Sequence, residues 1–257
     1  MMSRYLNESL AIADVELRKL IRDPTELISR AIQPILWLVI FGQVLSHARG
    51  IDTGKVGYLA FMTPGILAQS VLFSAIFYGI AVIWERDLGI VHKLLVSPAS
   101  RGSLIIGKAI SADFRGLVQT VVIYLIALAL GVPIRFEPAA IAGVVLVVTL
   151  GSAIFSTFSL VIACIVKTRE RFMGIGQVLT MPLFFASNAI YPLEMMPSWL
   201  RTIATVNPLT YVVDALRGLM IQGGQSVYGM PWDCTVLAVA FAVLLLIAVR
   251  TYPHLIQ

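Results

Sequence analysis

At 257 residues the chain is 58% apolar and only 13% charged, with a mean hydropathy of +0.89 and a formal net charge of +5. Such a composition excludes one water-soluble core and requires lipid as solvent for much of the chain. The basic excess would point to nucleic acid in a soluble domain; here it is read by the side of the membrane on which it falls, and no nucleic-acid partner is expected.

The chain opens with Leu6, Leu10, Ala13, Leu17, Leu20 and Ile21 at helical spacing, opposite Glu8, Asp14, Arg18, Lys19 and Arg22. This pattern predicts an amphipathic helix over 5–22 lying in the membrane interface. Its charges interrupt any leader-type apolar core, so the first span is expected to act as its own insertion signal. Asp23-Pro24-Thr25-Glu26 then reads as a new helix start with Asp23 as N-cap. Charge-free stretches follow at 31–46, 56–84, 116–134, 139–166, 172–193 and 235–249. A helix needs roughly 20 residues to cross the hydrocarbon, so these stretches predict six spans, the first and last of marginal length. Runs such as 121–130 and 144–150 are apolar on every side, unlike the alternation of a barrel strand.

Between the second and third spans lie Glu85, Arg86, Asp87, Leu88, Gly89, Val91, Leu94 and Leu95, closed by Ser97-Pro98 with Arg101 beyond. Leu88, Val91 and Leu95 can face one way and the charges another, which predicts a short helix over 85–98. The residues alone leave a polar lid and a docking surface for a cytoplasmic partner both open. Directly after it, Gly102 through Gly107-Lys108 fits a phosphate-binding loop up to its last position. There Ala109 replaces the Ser or Thr that would hold magnesium, and no strand precedes the segment, so the chain is not expected to hydrolyse ATP itself.

Thr149, Ser152, Ser156 and Ser159 mark the fourth span with a small-polar stripe of the kind used in helix packing. A basic loop, Lys167 to Arg171, leads to the fifth span, where Gln177, Thr180, Phe184 and Asn188 form a second stripe beside Pro182. Lining a pathway and packing between helices both fit that stripe. Tyr191-Pro192-Leu193-Glu194, Pro197-Ser198-Trp199-Leu200 and an Asn207-Pro208 helix start running through Tyr211, Asp214 and Arg217-Gly218 come next. With Trp199 and Tyr211 at interfacial depth, residues 191–218 predict a re-entrant helical hairpin in the outer leaflet, in which Asp214 and Arg217 can pair.

With the N-terminus taken as cytoplasmic, most basic residues gather inside, among them Arg18, Lys19, Arg22, Arg30, Arg86, Lys93, Arg101, Lys108, Arg169 and Arg250, which predicts both termini in the cytoplasm. Cys164 and Cys234 then fall on opposite sides, excluding a disulfide between them, and two cysteines make no metal site. His47, His92 and His254 avoid the middle of the membrane, no carboxylate pair is evident, and no catalytic residue is predicted. The absence of Asp, Glu and Lys from the middle of the predicted spans argues against an ion-driven pump.

Three stretches together resemble the type-2 membrane domain of ABC transporters, as in bacterial drug, antibiotic and polysaccharide or lipid exporters: Trp84 to Gly89 through Leu94-Leu95-Val96-Ser97-Pro98 with Arg101 and Gly107-Lys108; Tyr191 to Glu194 through Pro197-Ser198-Trp199-Leu200; and Asn207 to Tyr211 through Asp214 and Arg217. The resemblance covers nearly the whole chain. It implies a single all-α permease domain over 1–257 in a bacterial-type inner membrane, acting as a homodimer with two copies of a separate ATPase subunit. ATP and Mg would be held by that subunit, and no cofactor by this chain. Residues 85–98 would form the coupling helix and 5–22 a connecting helix. The hairpin residues Pro192, Glu194, Pro197, Trp199, Asn207, Pro208, Tyr211, Asp214 and Arg217 would seal the exit, and the second and fifth spans would line the path. Its neutral, apolar character points to an amphipathic drug-like or lipid-linked cargo. A carrier or channel independent of nucleotide, and a membrane assembly scaffold, are the alternatives that a partner ATPase would eliminate.

Overall fold

The computed structural model describes Arg18 and residues 32–46, 56–89, 101–166 and 168–252, with the backbone alone at 77–78 and 101–112. Apart from Arg18, the predicted interfacial helix over 5–22 lies outside these residues. Regular structure among them is helical, with one isolated β-bridge between Ile134 and Ile221. We label the helices α1 (Ile32–Ser46), α2 (Tyr58–Asp87), α3 (Arg101–Ala129), α4 (Pro138–Ile165), α5 (Arg169–Phe185), α6 (Ser198–Val206), α7 (Pro208–Met220) and α8 (Met230–Thr251). Three of them, α2, α4 and α8, are long and apolar enough to cross a membrane.

Several predicted boundaries move. The helix carrying the third span starts at Arg101, not Gly116, and ends at Ala129, where Gly131 at φ +73° turns the chain. Absence of charge marks the part of a helix that fits lipid, whereas its hydrogen bonds continue beyond that part. In consequence Asp113 and a buried Arg115 ride on the same helix as the apolar run. The last span is not marginal, because α8 begins at Met230 with Pro231 in its first turn and extends for 22 residues. The fifth is shorter than predicted: α5 stops at Phe185, and residues 186–191 form a buried or half-buried turn.

At the centre lies α4, packed against α2, α3, α7 and α8. Its serine stripe explains the closeness. Ser159 Oγ accepts the Gly79 amide at 3.0 Å and donates to the Ile76 carbonyl at 2.5 Å, satisfying polar groups that lipid cannot. The small-polar stripe is therefore packing, with Ser152, Ser156 and Ser159 all buried. One face of α8 remains open, with Val239, Val243 and Leu246 exposed as a lipid-facing surface requires.

At one end of this bundle the Ile134–Ile221 bridge joins the α3–α4 connection to the α7–α8 connection. Arg135 N donates to Met220 O and Gln222 N to Pro133 O, each at 2.9 Å, and the Gln222 and Arg135 side chains add bonds to Ile134 O and Gly218 O.

Candidate functional site

Two clusters of polar side chains stand at opposite ends of the bundle. At the end where α2 finishes and α5 begins, Arg169 Nη2 lies 3.0 Å from Asp87 Oδ2, and its guanidinium stacks 3.4 Å above the Trp84 ring. Arg86 holds the other carboxylate oxygen at 2.9 Å. Hydrogen bonding from Arg86 lowers the Asp87 carboxyl below its ordinary range; desolvation opposes it as the next largest influence, and Arg169 adds to the lowering. Thr168 caps the start of α5 by accepting the Arg171 amide.

Glu85, Arg86 and Asp87 therefore do not open a separate helix, as the sequence predicted, but complete the last turn of α2. Glu85 is buried, while Leu88 is 65% exposed and Gly89 at φ +71° ends the turn. Val91, Leu94, Leu95, Ser97 and Pro98 lie outside the described residues, and Arg101 opens α3. Since Asp87 and Arg169 are both substantially exposed, Arg169→Gln is expected to change stability by no more than about 1 kcal/mol.

The opposite end is built around the buried turn after α5. A turn in a dry environment leaves carbonyls that side chains must satisfy. Asn207 Nδ2 donates to Leu183 O (2.7 Å) and Ala186 O (3.0 Å) while its Oδ1 accepts the Leu209 amide, so one side chain closes α5 and caps α7. Arg217 Nη2 donates to Asn188 O at 2.6 Å, Tyr58 to Ile190 O at 3.1 Å, and Tyr191 to Phe185 O.

Arg217 also lies 4.0 Å from Asp214 and stacks 3.8 Å from the Phe61 ring, tying α7 to α2. Asp214 in turn accepts from Ser226 Oγ at 2.9 Å and Tyr228 N at 3.0 Å, with Asn188 Nδ2 at 3.5 Å. The predicted i,i+3 pair is thus the centre of a network instead of a simple neutralisation. Ser226 and Asp233 belong to it and were missed, because they come close only through the turns at Gly223 and Gly229, both of positive φ.

The predicted hairpin residues divide between this network and the surface. Tyr211 sits inside with Asn207, Asp214 and Arg217, donating to Thr205 O at 2.6 Å and packing on Tyr228, and Pro208 is half-buried beside them. Pro197 immediately precedes α6, Trp199 is 65% exposed, and Glu194 and Pro192 form the rim, where Arg201 donates to the Leu193 and Glu194 carbonyls.

The fifth-span stripe also divides. Thr180, Phe184 and Asn188 are buried in the bundle, with Thr180 donating to Gly176 O and Phe184 packed on Trp37 of α1. Gln177 lies on the open face beside Val178, which is 71% exposed. An apolar cavity of about 320 Å³ lies between Ile154, Phe155 and Phe158 of α4, Leu183, Pro208, and Ala240 and Leu244 of α8. Among the described residues no group of His, Cys, Asp and Glu is arranged to hold a metal, and both cysteines are free.

Comparison with known proteins places residues 8–221 on the family model of the ABC-2 type transporter. The protein named transport permease ycf38 of Cyanophora paradoxa is 34% identical over 200 residues, covering 77% of this chain and 69% of its own. The doxorubicin resistance ABC transporter permease protein DrrC of Mycobacterium tuberculosis is 28% identical over 231 residues, 86% of this chain and 82% of its own. The multidrug ABC transporter permease YbhR of Escherichia coli K12 is 27% identical over 173 residues, 65% of this chain and 45% of its own.

Proposed function

The chain belongs to the ABC-2 type transporter family, as a membrane transport permease, and from that premise we propose that it is the path-forming half of an ATP-driven exporter. Two copies make the path, and two copies of a separate ATPase supply ATP, Mg and hydrolysis. The chain crosses the bilayer six times with both termini in the cytoplasm of a bacterial-type inner membrane. Residues 191–218 re-enter the outer leaflet. The family match carries this reading, because it takes in the 85–98 segment and the hairpin as well as the apolar helices α2 and α4. The names of the DrrC and YbhR relatives, which refer to doxorubicin resistance and to multidrug transport, support the drug-like cargo of the two classes that the sequence suggested.

The 85–98 segment docks on the ATPase in this reading. Because Glu85 is buried, the exposed Leu88 is the sharper probe. Leu88→Asp is expected to reduce co-purification of the ATPase by roughly tenfold, the loss of about 1.4 kcal/mol at an interface hot spot, and ATP-dependent export with it. Wild-type recovery of the ATPase together with wild-type export would refute docking. Export by the chain alone in vesicles without ATP would favour the carrier.

Gln177, on the open face of α5, is the stripe residue that reaches the path between two copies. Gln177→Cys is expected to react with a polar thiol reagent to an extent that depends on ATP, whereas Thr180→Cys stays protected throughout. Equal protection of both in every state returns the whole stripe to packing.

A further inference from the structure

One hydroxyl joins two buried carboxyl groups at the hairpin end. Ser226 Oγ lies 2.9 Å from Asp214 Oδ2 and 2.8 Å from Asp233 Oδ2, and it accepts the Gly229 amide at 2.7 Å. A serine hydroxyl has a single proton to donate, so it serves one carboxylate; the second oxygen at that distance must bring a proton of its own. Asp214 and Asp233 are both 0% exposed.

The surrounding charges decide which carboxyl brings it. Arg217 of α7 faces Asp214 at 4.0 Å. Arg201 of α6 turns to the Leu193 and Glu194 carbonyls, and Arg135 of the α3–α4 connection to Gly218 O. Among the described residues, Glu194, Tyr211, Tyr228 and Cys234 are the other titratable groups acting on the cluster, and none is a cation. From α2 it meets the Phe61 ring, and from the turn after α5 the neutral Asn188. The first amides of α8, which would otherwise favour an anion, close on Gly229 O instead, from Trp232 and Asp233. Asp233 Oδ1 is buried with no hydrogen-bond partner, a position tolerable for the carbonyl oxygen of a neutral acid and costly for a carboxylate.

We propose that Asp233 stores a proton in this conformation: its Oδ2–H donates to Ser226 Oγ, Ser226 donates to the Asp214 carboxylate, and Arg217 balances that carboxylate. Release of the proton to the aqueous phase leaves two carboxylates competing for one hydroxyl beside one guanidinium. The α7–α8 junction then loosens, which makes the hairpin end sensitive to pH. Neither ATP nor a partner subunit enters this inference, so its failure is separate from that of the exporter reading.

The test uses the full chain in lipid nanodiscs. Infrared spectra of the wild type at neutral pH should contain the carbonyl stretch of a buried protonated carboxylic acid, absent from Asp233→Asn, whose amide still donates to Ser226. A folded state that binds a proton more tightly than the unfolded chain loses stability as pH rises. The wild-type unfolding midpoint should therefore fall by roughly 2–4 °C between about pH 5 and about pH 9, while Asp233→Asn stays level. A band unchanged in Asp233→Asn, or an equal slope in both proteins, overturns the proposal. Should that variant not fold, Ser226→Ala, which removes the acceptor of the Asp233 proton, must shift the band; an unshifted band refutes the stored proton.

Discussion

Replacing Asp214 with alanine is expected to cost about 3–5 kcal/mol, a large fraction of the stability of an ordinary domain. The variant removes the counter-charge from a guanidinium that is 5% exposed and takes away the acceptor of the Ser226 hydroxyl and the Tyr228 amide. A charge left alone in a dry site costs more than its pair ever contributed, and Arg217 cannot swing to water without releasing Asn188 O and the Phe61 ring. The amount of folded chain in the membrane and its unfolding midpoint measure the effect. Asp214→Ala combined with Arg217→Met should recover much of the loss, since neither charge is then buried unpaired. A single variant within about 1 kcal/mol of wild type would show that the network contributes little.

Gly65→Ala is the second large effect. A Cβ there would lie 2.3 Å from the Ala189 carbonyl oxygen and within 2.8 Å of two more of its backbone atoms. Backbone has no rotamer with which to yield, so α2 and the turn after α5 must part. The turn is already held by Tyr58 at Ile190 O and Arg217 at Asn188 O, and a displacement large enough for a methyl group breaks one or both. Overpacking of this kind costs typically about 1–3 kcal/mol, and each buried acceptor left without a donor adds about 1–3 more. Gly174→Ala is the control: nothing among the described residues lies within 4 Å of that position, and helix propensity gains up to about 1 kcal/mol. Equal unfolding midpoints for the two variants would contradict the assigned contact.

These effects indicate which parts of the molecule were legible beforehand. Asn207-Pro208 announced a helix start because an N-cap and a proline in the first turn are local chemistry, and α7 begins there. The serine stripe of α4 was legible as packing because lipid offers hydroxyls no partner. Helix ends were less so, since absence of charge reports where lipid begins, and Arg101 to Arg115 continue α3 past that point. Contacts between residues far apart were invisible. Asp87 meets Arg169 across 82 positions, and Ser226 reaches Asp233 only through the turn ending at Gly229. For α5, helical periodicity grouped Gln177 with Thr180 and Phe184, but Phe184 faces Trp37 while Gln177 faces outward.

The bridge between Ile134 and Ile221 bears on how this end of the molecule can deform. With its two amide bonds and the side-chain bonds of Gln222 and Arg135, it fastens the last residues of α7 to the connection that leads into α4. Between the turn held by Tyr58 and Arg217 and the start of α6, the attachments among the described residues are side-chain ones: Arg201 to the Leu193 and Glu194 carbonyls, and the small buried cluster of Leu193, Met196 and Ala204. The two sides of the hairpin are therefore fastened differently: the heel is tied by backbone bonds to the connection into the central helix, whereas the side that carries Trp199 is held through side chains.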